Sequence, residues 1–262
     1  MELTFLGTGT STGVPQLRCG CPTCTSHDPR DRRFRACSLL EFDGRRVLID
    51  CGPDFHQQML IHGKRSPEDE LDALLVTHQH YDHVGGLDDL RPYCYRNGKM
   101  TGFPVYCQAD VAHDFRERLP YSFRENPYPG SPRFDLHDVE AFRPFELFGR
   151  EVLPVRVNHF ILDMLGYRIG QLGYITDAKQ LPAETIEAMR GVDTLVINAL
   201  RRKPHNSHFS LDDALATIRE IKPRMAYLIH ISHDMGLYAE VAPTLPTNVV
   251  LAFDGLKIQI PD

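Results

Sequence analysis

Thr77-His78-Gln79-His80-Tyr81-Asp82-His83 follows an apolar run, Leu71-Asp72-Ala73-Leu74-Leu75-Val76, that predicts a buried strand. It precedes Val84-Gly85-Gly86-Leu87, where two glycines let the backbone turn before a helix. Four metal-ligand side chains, His78, His80, Asp82 and His83, therefore gather at one strand end. In extended chain His78 and His80 point the same way, because side chains alternate with period two. Two imidazoles on one side can grip one ion. Asp82 and His83 come after the chain has begun to turn, so they can aim at a second ion. Paired ions about 3.5–4 Å apart clamp both the attacking and the leaving oxygen of a displacement.

The surrounding composition suits a globular protein. The chain has 262 residues, 42% of them hydrophobic, with a formal charge of −6. With no linker and no fixed-period repeat, 1–262 reads as a single domain. No apolar run reaches the roughly 18 residues of a membrane span. Met1-Glu2-Leu3-Thr4-Phe5-Leu6 reads as a first strand rather than a targeting segment, so a cytoplasmic location and no membrane contact are expected. The acidic balance disfavours a general polynucleotide binder without excluding a local basic pocket. Arg201-Arg202-Lys203 reads as a solvated turn. Seven cysteines are an odd count, and Cys19, Cys21 and Cys24 are bunched. That pattern suits metal binding in a reducing compartment better than a disulfide framework. Cys37, Cys51, Cys94 and Cys107 read as small buried apolar side chains.

Strands and helices follow one another along the chain. Asp43-Gly44 between 38–42 and 46–49 is a hairpin signal, and Asp254-Gly255 between 249–253 and 256–260 reads as a second hairpin. Further strands are expected over 104–107, 151–158, 165–169, 173–176, 194–198 and 225–229, and helices over 109–119, 182–190 and 211–221. Ser210 is placed to cap the last helix, with Asp213 at its third position. Pro182 falls in the first turn of its helix. The stretch 121–132 is rich in proline and reads as irregular. The role of 91–132 stays open between a lid and a dimer contact. Gly7-Thr8-Gly9-Thr10-Ser11-Thr12-Gly13 matches no nucleotide fingerprint and reads equally as a tight turn or a loop lining a site.

His78-x-His80-x-Asp82-His83 behind a strand resembles the metallo-β-lactamase superfamily. The resemblance implies a four-layer αββα sandwich of the α/β (α+β) class, two mixed sheets flanked by helices. His159, Asp177 and His230, each at a predicted strand end, match the superfamily's later motifs. By that resemblance His78, His80 and His159 hold one divalent ion, Asp82, His83 and His230 the second, and Asp177 bridges them. Asp50, ending the strand at 46–49, is the expected outer partner that orients the metal histidines. The ligands accept zinc, manganese or iron; Zn2+ or Mn2+ is expected.

Cys19-x-Cys21-x-x-Cys24 is one ligand short of a tetrahedral structural zinc. His233, three residues after His230, is the expected fourth, and His27 the local alternative. The triplet together with His230-Ile231-Ser232-His233 narrows the resemblance to the cyclic phosphodiesterases of the carbon–phosphorus lyase pathway. That resemblance implies hydrolysis of a small or cyclic phosphodiester by a hydroxide shared between the two ions. His208, in Pro204-His205-Asn206-Ser207-His208, matches the family's general acid, with His205 a weaker rival and Asp82 a second catalytic residue. A ribonuclease of the tRNA 3′-processing type, or a thioester or lactam hydrolase, is the alternative. A small diester is the expected partner; nucleic acid and a second copy of the chain are left open.

Overall fold

In the computed structural model, which describes residues 1–63, 66, 69–96, 98–126 and 128–262, two seven-stranded sheets lie face to face. The N-terminal half supplies β1 (Glu2–Gly7), β2 (Cys37–Phe42), β3 (Arg45–Ile49), helix α1 (Phe55–His62), β4 (Ala73–Leu75) and the one-turn helix α2 (Tyr81–Val84). A small pair, β5 (Tyr95–Arg96) and β6 (Lys99–Met100), then precedes β7 (Phe103–Cys107), α3 (Ala109–Arg118) and β8 (Phe134–Asp138). The second half runs through β9 (Phe145–Leu147), β10 (Arg150–His159), β11 (Leu162–Ile169), β12 (Leu172–Ile175), α4 (Ala183–Met189), β13 (Thr194–Asn198), α5 (Leu211–Ile221) and β14 (Met225–Ile229). It closes with α6 (Tyr238–Val241), β15 (Val249–Leu251) and β16 (Lys257–Gln259). The sheet orders are β16-β1-β2-β3-β4-β7-β8 and β15-β14-β13-β12-β11-β10-β9.

Alternation along the strands makes the layers. Leu3, Phe5, Leu40, Val47, Ile49 and Leu75 meet Leu165, Tyr167, Tyr174, Val196 and Ile229 between the sheets. Their neighbours Leu6, Leu39, Leu48 and Leu74 turn outward and pack with Phe55 of α1 and Phe115 of α3. Leu195 and Ile197 likewise leave the second sheet to meet Ile186 of α4 and Ile218 of α5. Strands buried on both faces read as apolar runs rather than alternating ones, as in 71–76 and 194–198. The result is the expected αββα sandwich. Among the described residues no helix is long and apolar enough to cross a membrane.

Most local expectations are borne out. Asp43 and Gly44 both have positive φ, 49° and 75°, as a type I′ hairpin turn requires. Ser210 and Asp213 form a reciprocal capping box on α5. Pro182 caps α4 instead of entering its first turn. Pro127, within the stretch read as irregular, lies outside the described residues. The second expected hairpin does not form. The strand before Asp254-Gly255 pairs in parallel with β14 in one sheet, and the strand after it pairs with β1 in the other. Asp254 makes the difference: its carboxylate accepts from Thr8 N at 2.8 Å, Thr8 Oγ1 at 2.7 Å and Phe34 N at 2.6 Å. A side chain so tied to the first sheet turns the chain across rather than back. Burial pushes this carboxyl up to about 7, against the pull of Thr8, Phe34 N and Arg33.

Candidate metal centre

Strand ends from both sheets meet at one rim. β4 runs parallel to β3, and β12, β13 and β14 run parallel to one another, so their C-terminal ends face the same side. In open α/β sheets that side is where ligands bind. The motif is fixed there from the opposite sheet: Tyr167 Oη donates to the Val76 carbonyl at 2.6 Å, and Leu165 N to the Thr77 carbonyl at 3.0 Å. Gly52 lets the chain after β3 pass close behind, since a Cβ there would fall 2.1 Å from the Asp82 carbonyl oxygen. Asp50, Asp177 and His230 sit just past β3, β12 and β14 with φ of 63°, 50° and 55°. This left-handed backbone is uncommon for non-glycine residues and is kept where surroundings hold it.

The side chains converge as two groups, and the ligand atoms of His159 and Asp177 lie within 4.8 Å of that of His208 as well. Ligand atoms of His78, His80 and His159 lie within 4.8 Å of one another, and so do those of Asp82, His83, Asp177 and His230. Asp177 joins the two: its Oδ2 is 3.2 Å from His230 Nε2 and 3.9 Å from His78 Nε2, and its Oδ1 is 3.3 Å from His83 Nε2. His78 Nε2 and His80 Nδ1 are 2.9 Å apart. Outer contacts fix which nitrogen faces inward. His83 Nδ1 is 2.7 Å from Asp50 Oδ2, and His159 Nδ1 is 2.7 Å from the Ser207 carbonyl. Such contacts set the ring tautomer and orientation.

The donor set fits cations. His83 Nε2 is buried with carboxylate oxygens at 3.2 and 3.3 Å, yet has no partner in hydrogen-bond geometry. An orphaned buried nitrogen is costly, and a cation shared with Asp82 and Asp177 would satisfy it. Charge balance points the same way. Burial opposes ionisation of Asp177, but His230, His83 and His208 hold it well below the usual carboxylate range. Burial also works against a charged His83, yet Asp177, Asp82 and Asp50 hold it well above the usual histidine range. Burial, with His83 beside it, lowers His78; burial, with His159 beside it, lowers His80.

His208 stands against the same cluster. Its Nε2 is 3.2 Å from Asp177 Oδ2 and its ring stacks 4.9 Å from that of His230. Its Nδ1 meets Ser207 Oγ at 2.9 Å and His205 Nδ1 at 3.3 Å. Thr77 is a member that pattern reading missed. Its N–H and hydroxyl bond Asp50 at 2.8 and 2.9 Å, and its Oγ1 is 3.0 Å from His78 Nδ1. Its place immediately before His78 was the available signal.

The cysteine cluster lies apart from these groups. Cys19, Cys21, Cys24 and His233 bring their ligand atoms within 4.8 Å of one another; His27 does not join them. His233 Nδ1 is 3.3 Å from both Cys19 and Cys21 Sγ. Zinc bonds of about 2.3 Å to sulfur and 2.0 Å to nitrogen put tetrahedral ligand atoms about 3.5 Å apart, so the spacing suits the ion. Burial would raise the Cys21 thiol, but hydrogen bonds led by that to His233 bring it down to about 6, while burial pushes Cys24 up to about 11. Cys37, Cys51, Cys94 and Cys107 are buried free thiols, as expected.

A family model for the beta-lactamase superfamily domain matches residues 45–231. An octanoyltransferase of Porphyromonas gingivalis is 44% identical over 259 residues, 98% of this chain and 51% of that protein, so the chain spans about half the length of that relative. The anti-Pycsar protein Apyc1 of Bacillus phage 010DV004 is 34% identical over 254 residues, 90% of each protein. Among solved structures, a diphosphatase from the PhnP family is similar with a TM-score of 0.90 and 38% identity, over 98% of this chain and 96% of that one. A family match over more than half the chain, on a four-layer fold with histidines and aspartates gathered at its strand ends, means that this protein belongs to the metallo-β-lactamase superfamily of hydrolases.

Proposed function

We propose that the protein is a metal-dependent phosphodiesterase acting on small or cyclic phosphodiesters. The observation that carries this reading is the place of His208, 3.2 Å from Asp177 on a loop outside the strand ends that supply the other donors. A histidine at the edge of the cluster can serve the departing oxygen instead of an ion. In this reading His78, His80 and His159 hold one ion, Asp82, His83 and His230 another, and Asp177 both, with zinc or manganese suiting the donors. Cys19, Cys21, Cys24 and His233 hold a structural zinc, which suits a reducing, cytoplasmic setting.

When bound, a cation pair lowers the pKa of a shared water from 15.7 to about 7 and offsets charge on phosphate oxygens. The chain's own groups arrange the rest. With cations bound, Asp50 and the Ser207 carbonyl would keep the protons of His83 and His159 on Nδ1 and leave their inner nitrogens to the ions. Burial works against an anionic Asp82, but His83 and His230 hold it far below its usual range. It therefore stays an acceptor and can orient the attacking water. Burial lowers His208, against the pull of Asp177. As a general acid it must first take up a proton, which Asp177 at 3.2 Å favours, and that proton would then pass to the departing alkoxide, a far stronger base.

The name of the diphosphatase neighbour supports phosphorus as the centre attacked. The octanoyltransferase shares only the matched half with this chain, so acyl transfer is not carried over. The test is metal analysis of the purified protein, combined with a panel of bis(p-nitrophenyl) phosphate, cyclic phosphates, tRNA precursors, a thioester and a lactam. About three ions per chain and turnover of the small diesters are expected. His208→Ala should lower kcat by about 10²–10⁴-fold with all ions retained. Cleavage of tRNA precursors alone would replace this reading with a ribonuclease.

A further inference from the structure

The loop that carries His208 runs from Asn198, the end of β13, to Leu211, the start of α5, with no regular element between them. Its base is closed like a hairpin. Leu200 N donates to the Phe209 carbonyl and Leu211 N to the Arg201 carbonyl, each at 2.9 Å. The far arm reaches the candidate metal centre, where the Ser207 carbonyl meets His159 Nδ1 at 2.7 Å and His208 Nε2 meets Asp177 Oδ2 at 3.2 Å. Irregular segments of this kind open locally at little cost unless other bonds tie them down.

The near arm is tied to the turn that carries His233. Ser232 caps this turn, His233–Met235, its hydroxyl accepting from Asp234 N at 3.3 Å. The same hydroxyl donates to the Leu200 carbonyl at 2.9 Å, and Ser232 N donates to that carbonyl at 2.9 Å as well. Ser232 is buried. Arg202 Nε donates to the Met235 carbonyl at 3.3 Å, and Arg201 Nη1 lies 3.5 Å from Asp234 Oδ2. Arg201 also folds back on its own loop, its Nη2 donating to the Pro204 carbonyl at 3.0 Å. The basic triplet is therefore a set of straps as well as a solvated turn. Every anchor point, Ser232, Asp234 and Met235, flanks His233, whose Nδ1 is 3.3 Å from Cys19 and Cys21 Sγ. The cysteine cluster and His208 thus sit at the two ends of one bonded path through Ser232, Leu200 and Phe209.

We infer that the cysteine cluster, through Ser232 and Arg202, positions His208 against Asp177. This rests on the phosphodiesterase reading above. Ser232 and Arg202 are positioning residues, for neither is among the donors gathered at Asp177. An ion held by Cys19, Cys21, Cys24 and His233 would tie the turn to the 19–24 segment and so fix the anchor of the loop. The consequence falls on one step. As a cyclic phosphate opens, the hydroxide oxygen bonds to phosphorus, the ring P–O bond breaks, and the alkoxide takes the proton of His208. Bis(p-nitrophenyl) phosphate instead expels a nitrophenolate that is stable without a proton. Misplacing His208 by about 1 Å therefore slows the first ester by up to about 100-fold and spares the second.

Ser232→Ala and His233→Ala, each in the full chain purified with its ions, test this by two readings. Amide hydrogen exchange over 200–209 should quicken roughly fivefold in both variants, with 225–229 unchanged. The kcat for a cyclic phosphate should fall roughly 10- to 100-fold, while that for bis(p-nitrophenyl) phosphate stays within about threefold. Elemental analysis should show the ions at Asp177 retained. Unchanged exchange over 200–209, or equal losses on both esters, would overturn the inference. Loss of the Asp177 ions from Ser232→Ala would overturn it too, by making the turn a support for the ions instead. No turnover of either ester by the unaltered protein would remove the phosphodiesterase reading itself, and the exchange would still decide whether the turn holds the loop.

Discussion

Asp50→Asn changes one atom and should disturb both halves of the centre. The Asp50 carboxylate only accepts: from Thr77 N at 2.8 Å, from Thr77 Oγ1 at 2.9 Å and from His83 Nδ1 at 2.7 Å. With an ion in place, His83 would thereby turn its Nε2 lone pair to it, beside Asp82 and Asp177. Thr77 Oγ1, having donated to Asp50, can accept from His78 Nδ1 at 3.0 Å, which leaves His78 Nε2 facing inward as well. Asparagine must put its oxygen towards Thr77 N, which can only donate. Its amide nitrogen then faces both Thr77 Oγ1 and His83 Nδ1. To keep these bonds, each ring must move its proton to Nε2, the nitrogen an ion needs. Keeping the working tautomers instead forfeits buried hydrogen bonds, about 1–3 kcal/mol for each group left unpaired. That corresponds to roughly 5- to 150-fold in affinity, in line with the 10–100-fold typical of lost outer partners. Competition against a chromophoric chelator should therefore show both ions of the proposed pair weakened by at least about fivefold, with circular dichroism unchanged. Thr77→Val, which keeps the N–H bond to Asp50, should weaken chiefly the ion held by His78. Affinities of the Asn variant within threefold of the parent at both positions would refute this account.

Acid should destabilise the ion-free protein from an unusually high pH. His78, His80, His159 and His208 are all lowered, in each case chiefly by burial. The unfolded chain, with histidines near 6.5, thus takes up protons before the folded one does. Their contribution is present above about pH 6.5 and is lost as pH falls below it. His83 acts in the opposite sense, its raised value adding stability as pH falls to about 6.5 and nothing more below it, and Asp254, pushed up to about 7, adds stability as it protonates in the folded state; below about 6.5 the four lowered rings outweigh them. Melting temperature in excess chelator should fall as pH drops below about 6.5 towards 5.5; a curve that rises through that range would contradict the assignment. If the cysteine cluster holds the proposed zinc, His233→Ala should lose one ion per chain and several degrees of melting temperature, with any ions at Asp177 retained, measured by elemental analysis and scanning calorimetry. Loss of all the ions would make the cysteine cluster part of the active centre.

Which parts of this molecule could be read from sequence follows from the range of the interactions that fix them. His78, His80, Asp82 and His83 were legible because six residues of strand end and turn carry all four, and their chemistry has few other uses. The capping box of Ser210 and Asp213 and the Asp43-Gly44 turn were legible for the same reason: each is closed by atoms two or three residues apart. Asp254-Gly255 looked identical to Asp43-Gly44, and its outcome was opposite because its decisive partners, Thr8 and Phe34, lie more than two hundred residues away. The Phe160-Ile161 tip of the β10–β11 hairpin was hidden differently. With neither glycine nor asparagine, it gives no turn signal, and only the pairing of His159 with Leu162 makes it a hairpin. The left-handed backbone of Asp50, Asp177 and His230 was also invisible, since no glycine marks those positions. Each such residue costs about 1–3 kcal/mol, and all three sit where a strand must end and its side chain swing across the rim. Glycine would relieve that strain at once but supply no ligand. The centre is therefore held against local preference by the sheets around it. Its geometry should persist without ions only as long as the Tyr167–Val76 and Leu165–Thr77 bonds hold the two sheets in register.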